Sequence, residues 1–195
     1  MRRNVVLAGV GGQGLLSIAA VLGEAARAEG LHLKQAEVHG MAQRGGVVES
    51  HIRYADAPVH SDLIREGTAD LILSLEPMEA LRYMHFLSEG GAIITSDAPV
   101  ENIGNYPELG EIFEELRQLP HVAIIEADRL AREAGSPRCA NMVMLGAGSG
   151  RLGLSEASLR AGIEAIFSGK PNEIIEMNLR GFGLGLKAAA EALGS

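Results

Sequence analysis

The first residues whose types and spacing could do chemistry are Gly9-Val10-Gly11-Gly12-Gln13-Gly14, a match to G-x-G-x-x-G. An apolar run, Asn4 to Ala8, precedes them, and an apolar-periodic stretch from about Leu15 to Ala28 follows. That is the strand-turn-helix context in which the motif has meaning. Glycine is expected at Gly9 for a sharp turn, at Gly11 for close approach of a ligand and at Gly14 for helix-to-strand packing. The amides of Gly11 to Gly14 and of the first helical turn would then face outward, where unpaired N–H groups and the helix dipole attract an anion. Phosphate or pyrophosphate is the expected guest. Tight helix packing alone is the other role these glycines could serve.

A nicotinamide dinucleotide would call for an acidic residue at the end of the second strand to hold a ribose hydroxyl, and Glu37 stands there. Nothing downstream supplies a hydride-transfer acid or base, so a stand-alone NAD(P)-binding dehydrogenase or redox-regulatory module ranks second. The six histidines show no H-x-x-x-H spacing and have no cysteine pair beside them, which argues against a metal centre. Ser50 and His51 adjoin on a strand, so their side chains point to opposite faces and cannot act as a nucleophile–base couple. Gly169-Lys170-Pro171 lacks the rest of a P-loop and reads as a turn. No catalytic residue is expected in this chain.

These residues need a frame to hold them. Leu31 to Val38 and Val47 to Tyr54 suggest two further strands, and the segment between them, His39 to Gly46, has no helix or strand period and reads as a functional loop or a linker. Leu71 to Leu75 suggests another strand, and Pro77 opens a helix running to Leu87, where its missing N–H costs least. Gly90-Gly91 leads into the strand Ala92 to Ser96, and a polar helix precedes the strand Val122 to Glu126. From Ala127 onward the pattern is helical: about Asp128 to Ala134, Asn141 to Gly148, Ser155 to Phe167 and Asn172 to Leu193. Strands alternating with helices predict a three-layer, Rossmann-like α/β domain. Its sheet is mostly parallel with helices on both faces, and a helical C-terminal segment follows. One domain over residues 1–195 is expected.

Composition narrows the functions. The chain is 47% hydrophobic but only 4% aromatic, so aliphatic side chains and methionine must fill the core. A formal net charge of -8 disfavours nucleic acid and anionic membranes as partners, since both select basic faces. No run approaches the roughly 18 apolar residues of a membrane span, and a cytoplasmic location is expected. A single cysteine, Cys139, cannot ligate an iron–sulfur cluster, which takes about four thiolates.

Four segments together resemble a known family: Gly9 to Gly14 (GVGGQG), Glu37 to Gly46 (EVHGMAQRGG), Ser50 to Arg53 (SHIR) and Leu75 to Arg82 (LEPMEALR). They look like the gamma-domain family of the 2-oxoacid:ferredoxin oxidoreductases, and within it the stand-alone beta subunit of the indolepyruvate-oxidising branch. The resemblance runs on through Asn141-Met142-Val143 and Asn178-Leu179-Arg180-Gly181-Phe182. Pyruvate-acting relatives tend to carry paired arginines where Ala42-Gln43-Arg44 stands, which points to the aryl-pyruvate branch. Two departures are Asp62, where the family often has proline, and Gly181, where it often has alanine.

The resemblance implies a non-catalytic subunit of an enzyme that oxidatively decarboxylates a 2-oxo acid, uses coenzyme A and passes electrons to ferredoxin. Thiamine diphosphate, magnesium and 4Fe-4S clusters would sit on a partner alpha subunit in a hetero-oligomer. Gly9, Gly11, Gly12, Gln13 and Gly14 would then host coenzyme A, with Arg44 clamping a phosphate or docking onto the partner. Glu37, His39, Met41 and Gln43 would lie at the partner interface or near the substrate. A third possibility is an orphan binding module that kept the fold without the complex.

Overall fold

A computed structural model describes residues 1–39, 46–101 and 103–194. Among these residues six strands form one sheet: β1 (Arg2–Val10), β2 (His32–His39), β3 (Val47–Ala55), β4 (Ala69–Ser74), β5 (Leu87–Ser96) and β6 (Val122–Ile125). Their order across the sheet is β2-β3-β1-β4-β5-β6. β1, β4, β5 and β6 run parallel, whereas β3 is antiparallel to both of its neighbours. β2 therefore points the same way as β1 without touching it. The sheet is mostly parallel, as expected, but β3 separates β2 from the glycine-bearing strand.

Both faces of the sheet are covered, which is why its central strands read as continuous apolar runs. Val5 and Leu7 of β1 point to one face, with Leu71 and Leu73 of β4. That face packs under α1 (Leu15–Ala28), α4 (Ala127–Ala134), α5 (Ala140–Leu152), α6 (Glu156–Phe167) and α7 (Asn172–Leu193). Val6 and Ala8 point to the other, with Ile72 and Ile93, beneath α2 (Pro77–Arg82) and α3 (Leu109–Gln118). The long α7 is not a membrane span, and no described helix is long and apolar enough to be one.

The helix expected from Pro77 to Leu87 stops at Arg82. A 3-10 turn, Met84–Phe86, follows, and Leu87 already belongs to β5. Gly90 and Gly91 are correspondingly inside β5, at a register shift between Ala69 and Leu71 of β4. A Cβ on Gly91 would lie 2.7 Å from the Ala69 carbonyl oxygen, so this close crossing of backbones needs glycine.

The segment Leu75 to Arg82 proves to be structural. Glu76 is fully buried and caps α2, its carboxylate accepting from the Glu79 N–H at 2.8 Å. The same group accepts from the Val100 N–H at 3.3 Å and from the Tyr106 hydroxyl. One buried carboxylate thus pins three segments on the α2 side of the sheet. Burial holds the Glu79 carboxyl above its ordinary range, although Arg82 donates to it at 2.9 Å.

On the opposite face α5 and α7 meet through glycine. A Cβ on Gly185 would lie 1.8 Å from the Val143 carbonyl oxygen, and one on Gly146 would lie 1.9 Å from that of Phe182. The helices are therefore in backbone contact, and this contact fixes where α7 can deliver side chains. Gly181 is different: a Cβ there would meet Cys139 at 3.4 Å, so the alanine common in the family would fit.

Gly185→Ala is expected to cost about 3 kcal/mol of stability, because overpacking here has only backbone to push against. Gly150, exposed in the same α5 with nothing near its missing Cβ, should gain about 0.5–1 kcal/mol as alanine. Urea denaturation of the two variants checks the contrast. Glu76→Ala should cost about 2–4 kcal/mol by stranding three donors, while Glu76→Gln retains most of that stability in the same measurement.

Candidate functional site

The end of β1 and the start of α1 form a turn whose donors are divided between internal and outward use. Gly9 remains in the strand, contrary to the sharp turn expected there. Its missing Cβ makes room for Gln13, whose Oε1 would lie only 2.7 Å from such an atom. Gln13 accepts from the Val10 N–H at 2.7 Å and donates from Nε2 to the Leu75 carbonyl at 2.9 Å. One carboxamide thereby ties the end of β1 to the residue that follows β4. Its polar atoms are thus spent within the fold, so Gln13 shapes the site instead of offering its side chain to a ligand.

The amides do not all face outward either. The Gly11 N–H donates to the Gly46 carbonyl at 2.8 Å and the Gln13 N–H to the Val10 carbonyl at 3.2 Å. Gly12 and Gly14 adopt φ of +105° and +88°, in the left-handed region that glycine reaches without strain. The N–H groups of Gly12, Gly14, Leu15 and Leu16 have no acceptor among the described residues. α1 also has no side-chain cap. These four are the donors an anion would meet.

Gly14 has a second duty. A Cβ there would lie 2.6 Å from Asn141 Nδ2, and that nitrogen donates to the Gly14 carbonyl at 3.2 Å. The glycine therefore serves the approach of α5 to the turn, not the helix-to-strand packing that the motif suggested. Asn141 is buried and opens α5, so the clasp aligns the starts of two helices.

Above the turn lies a cleft of about 790 Å³, at the carboxyl ends of β1, β4 and β5. Ligands of open α/β sheets commonly bind in this position, and the volume falls within the usual range for small-molecule sites. Gly12, Gln13, Gly14 and Ser17 form one wall, and Arg138, Asn141, Lys170 and Asn178 another. Leu75, Phe167, Ile174 and Met177 add an apolar surface. α1, α4, α5 and α7 all begin near this space, so the positive ends of four helix dipoles converge on it. Asp128 also lines it. Burial raises the carboxyl of nearby Asp97, with further upward pressure from Glu126 and Asp128.

Arg138 and Lys170 were not singled out from the sequence; Lys170 looked like part of a turn. The signal available was placement, because a cation just before a helix opposes the dipole and is a costly choice without an anion to meet.

The remaining expected site residues fall elsewhere. Glu37 lies on the outermost strand opposite Ser50, half-buried, with one carboxylate oxygen buried and unpaired among the described residues. It is separated from the glycine turn by β3, so it does not hold the ribose position of a dinucleotide fold, which needs the strand beside β1. His39 ends β2. Met41, Gln43 and Arg44 lie outside the described residues. Gly46, the first described residue after them, accepts from the Gly11 amide at the turn.

His51 faces away from Ser50, as strand alternation required. Its Nδ1 accepts from the Ile64 N–H at 2.8 Å, which leaves Nε2 to donate to Glu49. Ser50 instead donates to the Ala36 carbonyl at 3.3 Å. Among the described residues, no three His, Cys, Asp or Glu side chains gather as a metal site would require.

Comparison with known proteins agrees with this geometry. The family model described as pyruvate ferredoxin/flavodoxin oxidoreductase matches residues 4–188. The indolepyruvate oxidoreductase subunit IorB of Thermococcus kodakarensis is 41% identical over 202 residues, covering 98% of each chain. A keto/oxoacid ferredoxin oxidoreductase gamma subunit from Geobacter sulfurreducens shares the fold, with a TM-score of 0.71 at 23% identity over 97% of this chain and 99% of that one. The fold also recurs in a 2-oxoglutarate:ferredoxin oxidoreductase from Magnetococcus marinus with 2-oxoglutarate, coenzyme A and succinyl-CoA bound. There the TM-score is 0.76 at 23% identity, covering 97% of this chain and 31% of that one. With the family model spanning nearly its whole length, the chain belongs to the pyruvate ferredoxin/flavodoxin oxidoreductase family.

Proposed function

We propose that this chain is the beta, gamma-type subunit of an indolepyruvate or aryl-pyruvate:ferredoxin oxidoreductase, and that its cleft receives coenzyme A. The observation that carries this is the pair of open amides at Gly12 and Gly14, which line a cleft of nucleotide size, continued by the acceptor-free amides of Leu15 and Leu16 in the first turn of α1. Coenzyme A brings a diphosphate, which suits backbone donors at a helix N-terminus. Support for the complex comes from full-length similarity to an indolepyruvate oxidoreductase subunit, and for the ligand from the fold shared with an enzyme that has coenzyme A bound.

The redox groups belong on a partner alpha subunit. Cys139 does not suit a cluster: its buried thiol donates to the Ser136 carbonyl at 2.9 Å, and burial pushes its pKa up, away from the thiolate a metal needs. When bound to the partner, thiamine supplies carbanion stabilisation and the clusters carry electrons to ferredoxin. This chain's residues bind and orient the acyl acceptor, with Glu37, His39, Met41, Gln43 and Arg44 on the side toward the partner. The dehydrogenase alternative is disfavoured by β3, which occupies the place where a dinucleotide fold has a second parallel strand.

Purified alone, the chain is expected to oxidise no 2-oxo acid, and to support coenzyme A-dependent reduction of ferredoxin once combined with its thiamine-bearing partner. Oxidation by the isolated chain, or tight retention of NAD(H), would contradict the assignment. Gly12→Ala meets no neighbour but must adopt a left-handed φ, a strain of about 1–2 kcal/mol that turns the amide away. It should raise the KM for coenzyme A about tenfold while kcat at saturation and subunit assembly persist, as steady-state kinetics and gel filtration of the complex would show.

A further inference from the structure

Two cations flank the cleft where helix electrostatics disfavour them. Arg138 stands just before α5, a helix of 13 residues, and Lys170 just before α7, one of 22. Other helix-end cations, Arg27, Arg82, Arg117, Arg132 and Arg151, occupy last turns, and Arg138 also closes the short 3-10 turn Pro137–Cys139 that leads into α5. Arg138 and Lys170 are both exposed, both line the cleft, and neither joins an ion pair among the described residues.

We infer that Arg138 and Lys170 form a phosphomonoester subsite, separate from the glycine-turn amides, that reads the 3′-phosphate of coenzyme A. The inference rests on the coenzyme A assignment above. Each phosphorus of the diphosphate is a diester centre with one delocalised charge, which backbone donors and helix dipoles accommodate. The 3′-phosphate is a monoester carrying about -1.5 to -2 at pH 7. A compact dianion of that kind calls for full side-chain cations, and an arginine offers a bidentate fork. Dinucleotide folds use the same chemistry when an arginine accommodates a phosphorylated ribose.

Phe167, Ile174 and Met177 give the cleft an apolar wall beside Lys170, a surface suited to the adjoining purine ring. Asn178 is only 4% exposed and lines the same wall. Its Nδ2 donates to the Ile174 carbonyl at 2.8 Å, and its Oδ1 has no donor among the described residues. That oxygen is available to accept from the amino group of a base.

The test is calorimetric titration of coenzyme A and of 3′-dephospho-coenzyme A into the full chain, alone and in the complex. The wild type should bind coenzyme A about tenfold more tightly than the dephospho form. Arg138→Ala and Lys170→Ala should each reduce that preference severalfold by weakening coenzyme A, with the affinity for the dephospho form unchanged. Arg151→Ala, which removes a cation from the far end of α5, should leave the preference intact. Equal wild-type affinity for the two ligands would overturn the subsite while sparing the coenzyme A assignment. Variants that weaken both ligands alike would also overturn it. If neither ligand binds the wild type, the coenzyme A assignment and the subsite fall together.

Discussion

One side chain governs the geometry of the candidate site. The Gln13 carboxamide accepts from Val10 and donates to Leu75, so it spans the ends of β1 and β4 and closes the turn beneath the cleft. It can enter only because residue 9 has no Cβ. With Gln13 in place, the turn's polar groups sort themselves. The Gly11 and Gln13 amides are consumed inside, while those of Gly12 and Gly14 remain open. The Asn141 clasp on the Gly14 carbonyl then brings α5 to the same point, and α5 carries α7 with it through glycine-to-backbone contact. The wall bearing Arg138, Lys170 and Asn178 is thereby held relative to the turn.

Electrostatics follow from this arrangement more than from net charge. At -8 the chain as a whole repels anions, yet four helices begin around one cleft, and two cations with no ion-pair partner among the described residues line it. Local dipoles and short-range donors decide binding at contact distance, whereas distant surface charges are screened within about 10 Å at moderate salt. Asp128 also lines the cleft, a carboxylate that an anionic ligand would have to stand away from.

Much of the frame was legible in the residues. The helices Leu15–Ala28 and Asn172–Leu193 fall where the apolar period ran, because each buries one continuous stripe. β3 was located but its direction was not, since apolar alternation reports burial and carries no sign for parallel or antiparallel pairing. That direction removed Glu37 from the ribose position. The end of α2 was misplaced because Gly90 and Gly91 look alike in a turn and in a bulged strand, and only the nearness of Ala69 distinguishes them. At the site, the glycine motif was found but its mechanics were redistributed. Partners such as Leu75, Gly46 and Asn141 are distant in sequence, and no local pattern names them. Arg138 and Lys170 were missed for the same reason: the cleft that joins them exists only once α5 and α7 pack.

The central claim is that the outward amides of the turn meet a phosphate of coenzyme A while the inward ones are already satisfied. Backbone amide NMR of the isotopically labelled chain during titration with coenzyme A addresses it most directly. The N–H signals of Gly12, Gly14, Leu15 and Leu16 should shift strongly and saturate together, with those of Gly11 and Gln13 moving far less. Unperturbed Gly12 and Gly14 signals at saturating ligand, or shifts confined to another part of the chain, would contradict the account.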